Sequence, residues 1–306
     1  MNLFLAGLYT ANIHLTGSTM EKFTPIEKQH RLECKNLLES YHYVHKQTAV
    51  DKMREDGAKI FLDSGAFSAW TKGVTIDMEK YCGYIKENSD IIRVEGDMVM
   101  ASVLDSIGDD LGTFQNQKRM EDLGVRPLPC FHYGEDPRYL EYYIANYSYI
   151  TIGGMVAQST KSLTIWLDDI WEKYMIDGAG HPKTKVHAFG VTTPYLMRRY
   201  PWFSVDSSTW VQWASNGTVM INEKSMPISE HSTCRKMEGQ HFYTFTQPQQ
   251  DAIRKIIESF GNTPERLSTE YVARWIYNIK QYNDLGISTF PEYKDSIFIP
   301  EQVGLI

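Results

Sequence analysis

The chain has no CxxC pair and only four cysteines, Cys34, Cys82, Cys130 and Cys234, spread over 306 residues. Such spacing points to neither a zinc cluster nor a disulfide framework, and it fits a reducing, cytoplasmic setting. No apolar run reaches 18 residues, so no transmembrane helix is expected. The first residues, MNLFLAGLYTANIH, lack the basic leader of a signal peptide and look like a first strand instead. Internal repeats, low-complexity blocks and Pro/Gly/Ser-rich linkers are also missing, which leads us to expect a single domain over residues 1–306. Positive charge is not in excess: 31 basic residues face 38 acidic ones, for a net charge of −7. That argues against binding nucleic acid by bulk charge, while leaving room for a nucleic-acid enzyme with a local basic face. Finally, no GxGxxG or Walker sequence follows an early strand, which weakens the case for a nucleotide-cofactor fold.

What is present is an alternation of short apolar runs with longer amphipathic ones. Strands are expected in NLFLAG (2–7), KIFLDSG (59–65), DIIRVEGD (90–97), RPLPCFHYG (126–134), SYITIGGM (148–155), KVHAFGV (185–191) and WFSVDSS (202–208). Helical spacing appears in DMEKYCGYIKEN (77–88), TFQNQKRMEDLG (113–124), DPRYLEYYIANY (136–147) and SLTIWLDDIWEKYM (162–175). Thr193 and Pro194 read as the N-cap and first residue of a further helix. Strand–helix alternation implies parallel strands with crossover helices. Seven strands, several ending in a polar residue, predict an α/β chain folded as a (β/α)8 TIM-like barrel, with the eighth strand expected within 217–245. An open doubly wound sheet is the second choice.

In a barrel the C-terminal strand ends converge on one pocket. Those ends carry Asp63, Asp97, His132, Gly153-Gly154, Gly190 and Asp206. Each has a plain structural role available to it, since an Asp closing a strand often caps a turn or the next helix. Two ends repeat one pattern, however: KIFLDSGAFSAW and PWFSVDSSTW both run from apolar residues through Asp and small residues to a ring. Gly65, Ala66 and the Gly153-Gly154 pair would let a ligand approach the backbone closely. Phe67 and Phe189 are placed to hold a flat heterocycle between them, unless they are core rings. His132 can donate to a carbonyl oxygen or be satisfied by backbone. Carboxylates around a flat ring suggest chemistry at a glycosidic carbon, one Asp attacking C1′ and another handling the proton on the base. The aromatic content of 13%, much of it Tyr and Trp, suits contact with planar ligands as well as core packing.

The segment DSGAF (63–67) resembles the DSGGF/Y segment of tRNA-guanine transglycosylases. The later order is also similar to that family: an acidic strand end at Asp97, IGGM at 152–155, HAFGVTTP at 187–194 and FSVDSSTW at 203–210. The resemblance spans about residues 60–210 and is nearest to the smaller DNA-directed branch, which exchanges guanine in DNA for a 7-deazaguanine such as preQ0. It implies that Asp206 is the nucleophile on C1′ and that Asp63 is the general acid/base. It further implies that Asp97 binds the amino and ring N–H edge of the base, between Phe67 and Phe189. Ser64, His132, Gly153, Gly154, Met155 and Gly190 would complete the base site. The implied partners are DNA, with its target guanine flipped out, and a free 7-deazaguanine base. No cofactor, metal or membrane is implied, and the oligomeric state is left open. Lys183, Lys185, Arg198 and Arg199 are candidate DNA contacts; a solvated helix face is the ordinary alternative.

The family's CxCxxC…H zinc site has no counterpart, since Cys234, His231 and His241 supply too few thiols. This favours DNA over tRNA. The acidic residue that follows the Gly-Gly loop in bacterial tRNA enzymes is absent from GGMVAQST, which fits neutral preQ0 better than a cationic base. A tRNA enzyme without zinc, a non-catalytic transglycosylase-like binding subunit and a nucleosidase remain alternatives.

Overall fold

The computed structural model describes residues 1–156, 158–288 and 298. Its centre is a parallel sheet of seven strands: β1 (Asn2–Ala6), β2 (Leu37–Ser40), β3 (Ile60–Asp63), β6 (Cys130–His132), β7 (Tyr149–Gly153), β8 (Lys185–Ala188) and β9 (Ser204–Ser207). Between β3 and β6 lie two short strands, β4 (Val94–Glu95) and β5 (Met98–Val99), which pair only with each other. The order across the large sheet is β3-β2-β1-β9-β8-β7-β6. Starting from β1, the chain steps outward to β3, resumes at the far edge with β6 and works inward until β9 lies beside β1. A doubly wound sheet would resume next to β1 and build outward instead, so the second choice from sequence does not describe this chain. The architecture is mixed α/β with a parallel sheet, compatible with a TIM-like fold.

Burial explains why the strands read as apolar runs. Every residue of β7, YITIG, is buried, as expected of a parallel strand covered on both faces. Helices lie between the strands. Those at Met78–Glu87, Asp110–Asp122, Pro137–Asn146 and Thr160–Ile170 match the segments with helical spacing, and the last continues into a π turn at Trp171–Met175. Asp77, Asp109, Asp136 and Ser159 cap them by accepting backbone N–H bonds. Thr193 precedes the helix Pro194–Arg199 as expected, although its side chain makes no capping bond.

Two expectations about strands need correction. Residues 218–227 do not enter the large sheet. They form a separate antiparallel hairpin, β10 (Thr218–Ile221) with β11 (Lys224–Pro227), turned by Asn222 and Glu223 at φ 49° and 64°. Positive φ at both central residues is what a tight hairpin turn demands. The segment DIIRVEGD does not run as one strand either. Ile92 bridges Ile60, and the chain then leaves the sheet through the β4–β5 hairpin before returning at Met100.

On its return the chain joins the two edges of the sheet. Leu62 N–H donates to Met100 O at 2.9 Å, and Ser102 N–H donates to Leu62 O at 2.9 Å. On the other side Leu128 N–H donates to Ala101 O at 2.8 Å, and Val103 N–H donates to Leu128 O at 3.0 Å. The bridges Leu62–Ala101 and Ser102–Leu128 are both parallel.

The main core contains Phe4, Phe61, Phe131, Trp171, Trp202 and Trp210. A smaller apolar cluster, including Val219, Ile228, Phe242 and Ile257, lies around the β10–β11 hairpin. Among the described residues no helix is long and apolar enough to cross a membrane.

Candidate active site

β3 ends on Asp63, and the next two residues turn the chain into the helix Ala66–Thr71. Gly65 sits at φ +76°, where a Cβ would come within 2.4 Å of Ser40 Oγ and 2.5 Å of His42 Cβ. Only glycine fits both the backbone angle and the gap. Its N–H donates to Asp63 Oδ2 at 3.0 Å. Ser64 is fully buried and donates its N–H to Ser102 Oγ at 2.8 Å, so it braces the turn and does not face a ligand.

Asp206 lies in β9, across β1 and β2 from Asp63, and is buried. Its Oδ1 accepts from Gly190 N–H at 2.7 Å and stands 3.4 Å from His187 Nε2. Gly190 has φ +68°, which aims that N–H at the carboxylate. His187 is fully buried, with Nδ1 2.6 Å from Ser204 Oγ; the same hydroxyl is 2.6 Å from Tyr149 Oη. Burial pushes the His187 pKa down against the opposing pull of Asp206, so the ring is neutral at neutral pH.

The third carboxylate at this end of the sheet is Asp105, just beyond the segment that joins β3 to β6. Its Oδ1 lies 3.5 Å from His132 Nε2. His132 Nδ1 is 2.8 Å from Glu135 Oε1, and the His132 N–H donates to Glu135 Oε2 at 2.8 Å. Burial disfavours a charge on His132, but Cys130 and Asp105 outweigh it and hold the pKa well above the ordinary histidine value. Because burial also raises the Cys130 thiol, that group is neutral near pH 7, and the direction rests on Asp105. The imidazole ring thus lies between the carboxyl groups of Asp105 and Glu135.

These groups act on Asp63. Burial first, then the charges of Asp105 and Asp206, raise its pKa from 3.8 to about 7. A carboxyl poised there can give and take a proton at neutral pH.

Gly153 is buried and Gly154 exposed; a Cβ on Gly154 (φ +70°) would come 3.0 Å from Tyr133 N. Met155 is buried. Phe189 packs edge-on against His187, with centroids 4.7 Å apart, and is partly buried, whereas Phe67 is 55% exposed. The chain therefore brings Asp63, Asp206, His132, Gly154, Phe67, Phe189 and Gly190 to the C-terminal strand ends.

Asp97 goes elsewhere. It sits between β4 and β5, is paired with Arg126, and accepts from Ser148 Oγ at 2.9 Å. Ser148 and Arg126 precede β7 and β6, so Asp97 marks the opposite end of the sheet. The hairpin excursion carries it away, and Asp105 takes the place expected of it. The signal for Asp105 was MASVLD (100–105), small residues followed by an Asp, but the run is too short to stand out as a strand. His187 and Glu135 were missed as well.

The four expected basic contacts each have a partner within the chain. Lys185 opens β8 at the far end and pairs with Glu95, and Lys183 Nζ donates to Tyr174 O at 2.8 Å. Arg198 pairs with Glu223, while Arg199 makes a forked contact with Asp168 at 2.8 and 2.7 Å. All four are engaged within the chain.

Asp105, Cys130 and His132 offer one donor atom each within 4.8 Å of one another. No protein-family model matches the chain, and no curated protein is significantly similar to it.

Proposed function

We propose that the chain is a base-exchange transglycosylase that replaces guanine in DNA by a 7-deazaguanine such as preQ0, on a closed (β/α)8 barrel. The observation that carries this reading is the convergence of three carboxyls, with one of them, Asp63, held near pKa 7 by burial and by the other two. Residues 100–103 would supply the eighth stave, in keeping with their parallel bridges to Leu62 and Leu128.

In the first half-reaction the Asp206 carboxylate attacks C1′ of the target deoxyribose as the C1′–N9 bond breaks, forming an ester to the sugar. Asp63 gives its proton to the departing guanine. In the second, Asp63 removes a proton from the incoming base, whose nitrogen attacks C1′ and releases Asp206. Gly190 N–H holds Asp206 in place for attack, and neutral His187 adds no competing cation. Asp105, instead of Asp97, would take the amino and ring N–H edge of the base, with His132 on its carbonyl side. Gly154, exposed just past the end of β7, would present its backbone to the base.

The test is exchange of preQ0 into guanine-labelled DNA and labelled tRNA in parallel, with wild type and Asp206→Asn. Release and incorporation in DNA alone, abolished by Asp206→Asn together with the trapped covalent species, is the expected result. Exchange in tRNA alone would overturn the choice of polymer, and release without incorporation would make the protein a glycosidase. Full activity of Asp206→Asn would remove the nucleophile, and inactivity of wild type on both polymers would leave a binding role.

A further inference from the structure

Beside the carboxyl cluster and next to Phe67, the connections after β2 and β3 expose two further rings, Tyr43 and Trp70, that the exchange chemistry does not use. Trp70 is 60% exposed and Tyr43 42% exposed; Phe67 and Trp70 lie 6.1 Å apart at 34°. Lys72 Nζ stands 4.6 Å above the Tyr43 ring and donates to its hydroxyl at 3.2 Å. The two connections are locked together where Gly65 fits against Ser40 and His42. The patch therefore has a fixed position beside the turn that carries Asp63. Bulky apolar rings gathered at a surface mark a place where something docks.

Charge selects the occupant. The chain is net negative, and the cations expected to meet DNA are bound to its own carboxylates and carbonyls. Lys72 and Lys46 are both exposed and both lie on these two connections, and Lys72 Nζ meets the Tyr43 ring and hydroxyl. Flat exposed rings with a cation held against them match a strand that is anionic along its backbone and carries planar bases.

We propose that Tyr43, Trp70 and Lys72 bind single-stranded DNA flanking the reacting nucleotide, the rings stacking on neighbouring bases and Lys72 meeting a phosphate. This rests on the nucleic-acid reading of the site. It explains how a target base is kept out of the duplex: its neighbours stack on protein instead of on one another.

The test is fluorescence anisotropy of a labelled single-stranded deoxyoligonucleotide of about 12 nucleotides, a length within the range of such sites. Wild type, Trp70→Ala, Tyr43→Ala and Lys72→Ala would be titrated over a range of salt. Each ring is exposed, and circular dichroism confirms that the variants fold. Trp70→Ala and Tyr43→Ala should each weaken binding about tenfold, within the range seen for loss of one stacked base. Lys72→Ala should reduce the slope of log affinity against log salt by about 0.7, the change for one phosphate contact on a single strand. Unchanged affinity in both ring variants would overturn the patch even if base exchange proceeds. Ring-dependent binding without exchange would leave the patch standing and remove the catalytic reading. Ring-dependent binding of a hairpin RNA in preference to the DNA strand would overturn the assignment to DNA.

Discussion

Asp63 shows how a single residue acquires its chemistry from its surroundings. An isolated aspartate ionises near pH 4, but the turn that places Asp63 also withdraws it partly from water and sets Asp105 and Asp206 against it, which raises the pKa to about 7. If guanine departs with the Asp63 proton, exchange should fall as pH rises through about 7. Asp105→Asn removes a negative charge that raises this pKa, so the alkaline limb should move to lower pH; a rate–pH profile of both proteins measures it. The same shift has a consequence for folding. The protonated form is favoured in the folded chain, so its contribution is complete below the unfolded value of 3.8 and is lost as pH rises through about 7. Asp63→Asn should therefore raise the melting temperature more at pH 8 than at pH 5. Equal changes at the two pH values would show that Asp63 is not held protonated.

Among the elements, the turn after β3 depends most on one position. Gly65→Ala combines a left-handed backbone angle with a Cβ forced onto Ser40 and His42. It should cost about 1–3 kcal/mol, the range for a strained backbone position, and more if the β2 connection cannot yield. Urea unfolding measures the loss, and weaker exchange should accompany it because Asp63 sits on the same turn. The seven strands of the large sheet were unequally legible. β7 and β9 announce themselves as apolar runs ending in small or polar residues. β2, LLES, does not, because the fully buried Glu39 interrupts it; Tyr9 N–H satisfies that carboxylate at 2.6 Å from 30 residues away. Residues 100–103 were hidden by the hairpin before them, which splits one stretch of pairing into pieces too short to show a period.

Across the whole molecule, the helices Pro25–Glu33 and Pro264–Thr269 are tied by an ion pair whose carboxylate is buried. Glu27 on the helix Pro25–Glu33 is 1% exposed and accepts from Arg266 Nε at 3.0 Å, Arg266 Nη2 at 2.9 Å and Asn262 Nδ2 at 2.8 Å. Arg266→Ala would strand the carboxylate without its cation. It should lower stability by about 3–5 kcal/mol, as expected when one partner of a buried pair is removed. Chemical denaturation would check it, and no loss would mean that Glu27 rehydrates by local opening.

By itself the sequence determined the class of fold, most of the sheet strands and the two repeated Asp-ended motifs, because each is written in neighbouring residues through burial period and turn chemistry. Only the tertiary structure decided which acids meet. Asp97 and Asp105 lie eight positions apart and both follow small or apolar stretches, yet a hairpin sends one to Arg126 and the return strand brings the other to His132. The basic residues were decided in the same way: whether a lysine is free for a phosphate depends on which carboxylate the fold sets beside it. Long-range pairing makes these choices, and local pattern carries no record of it.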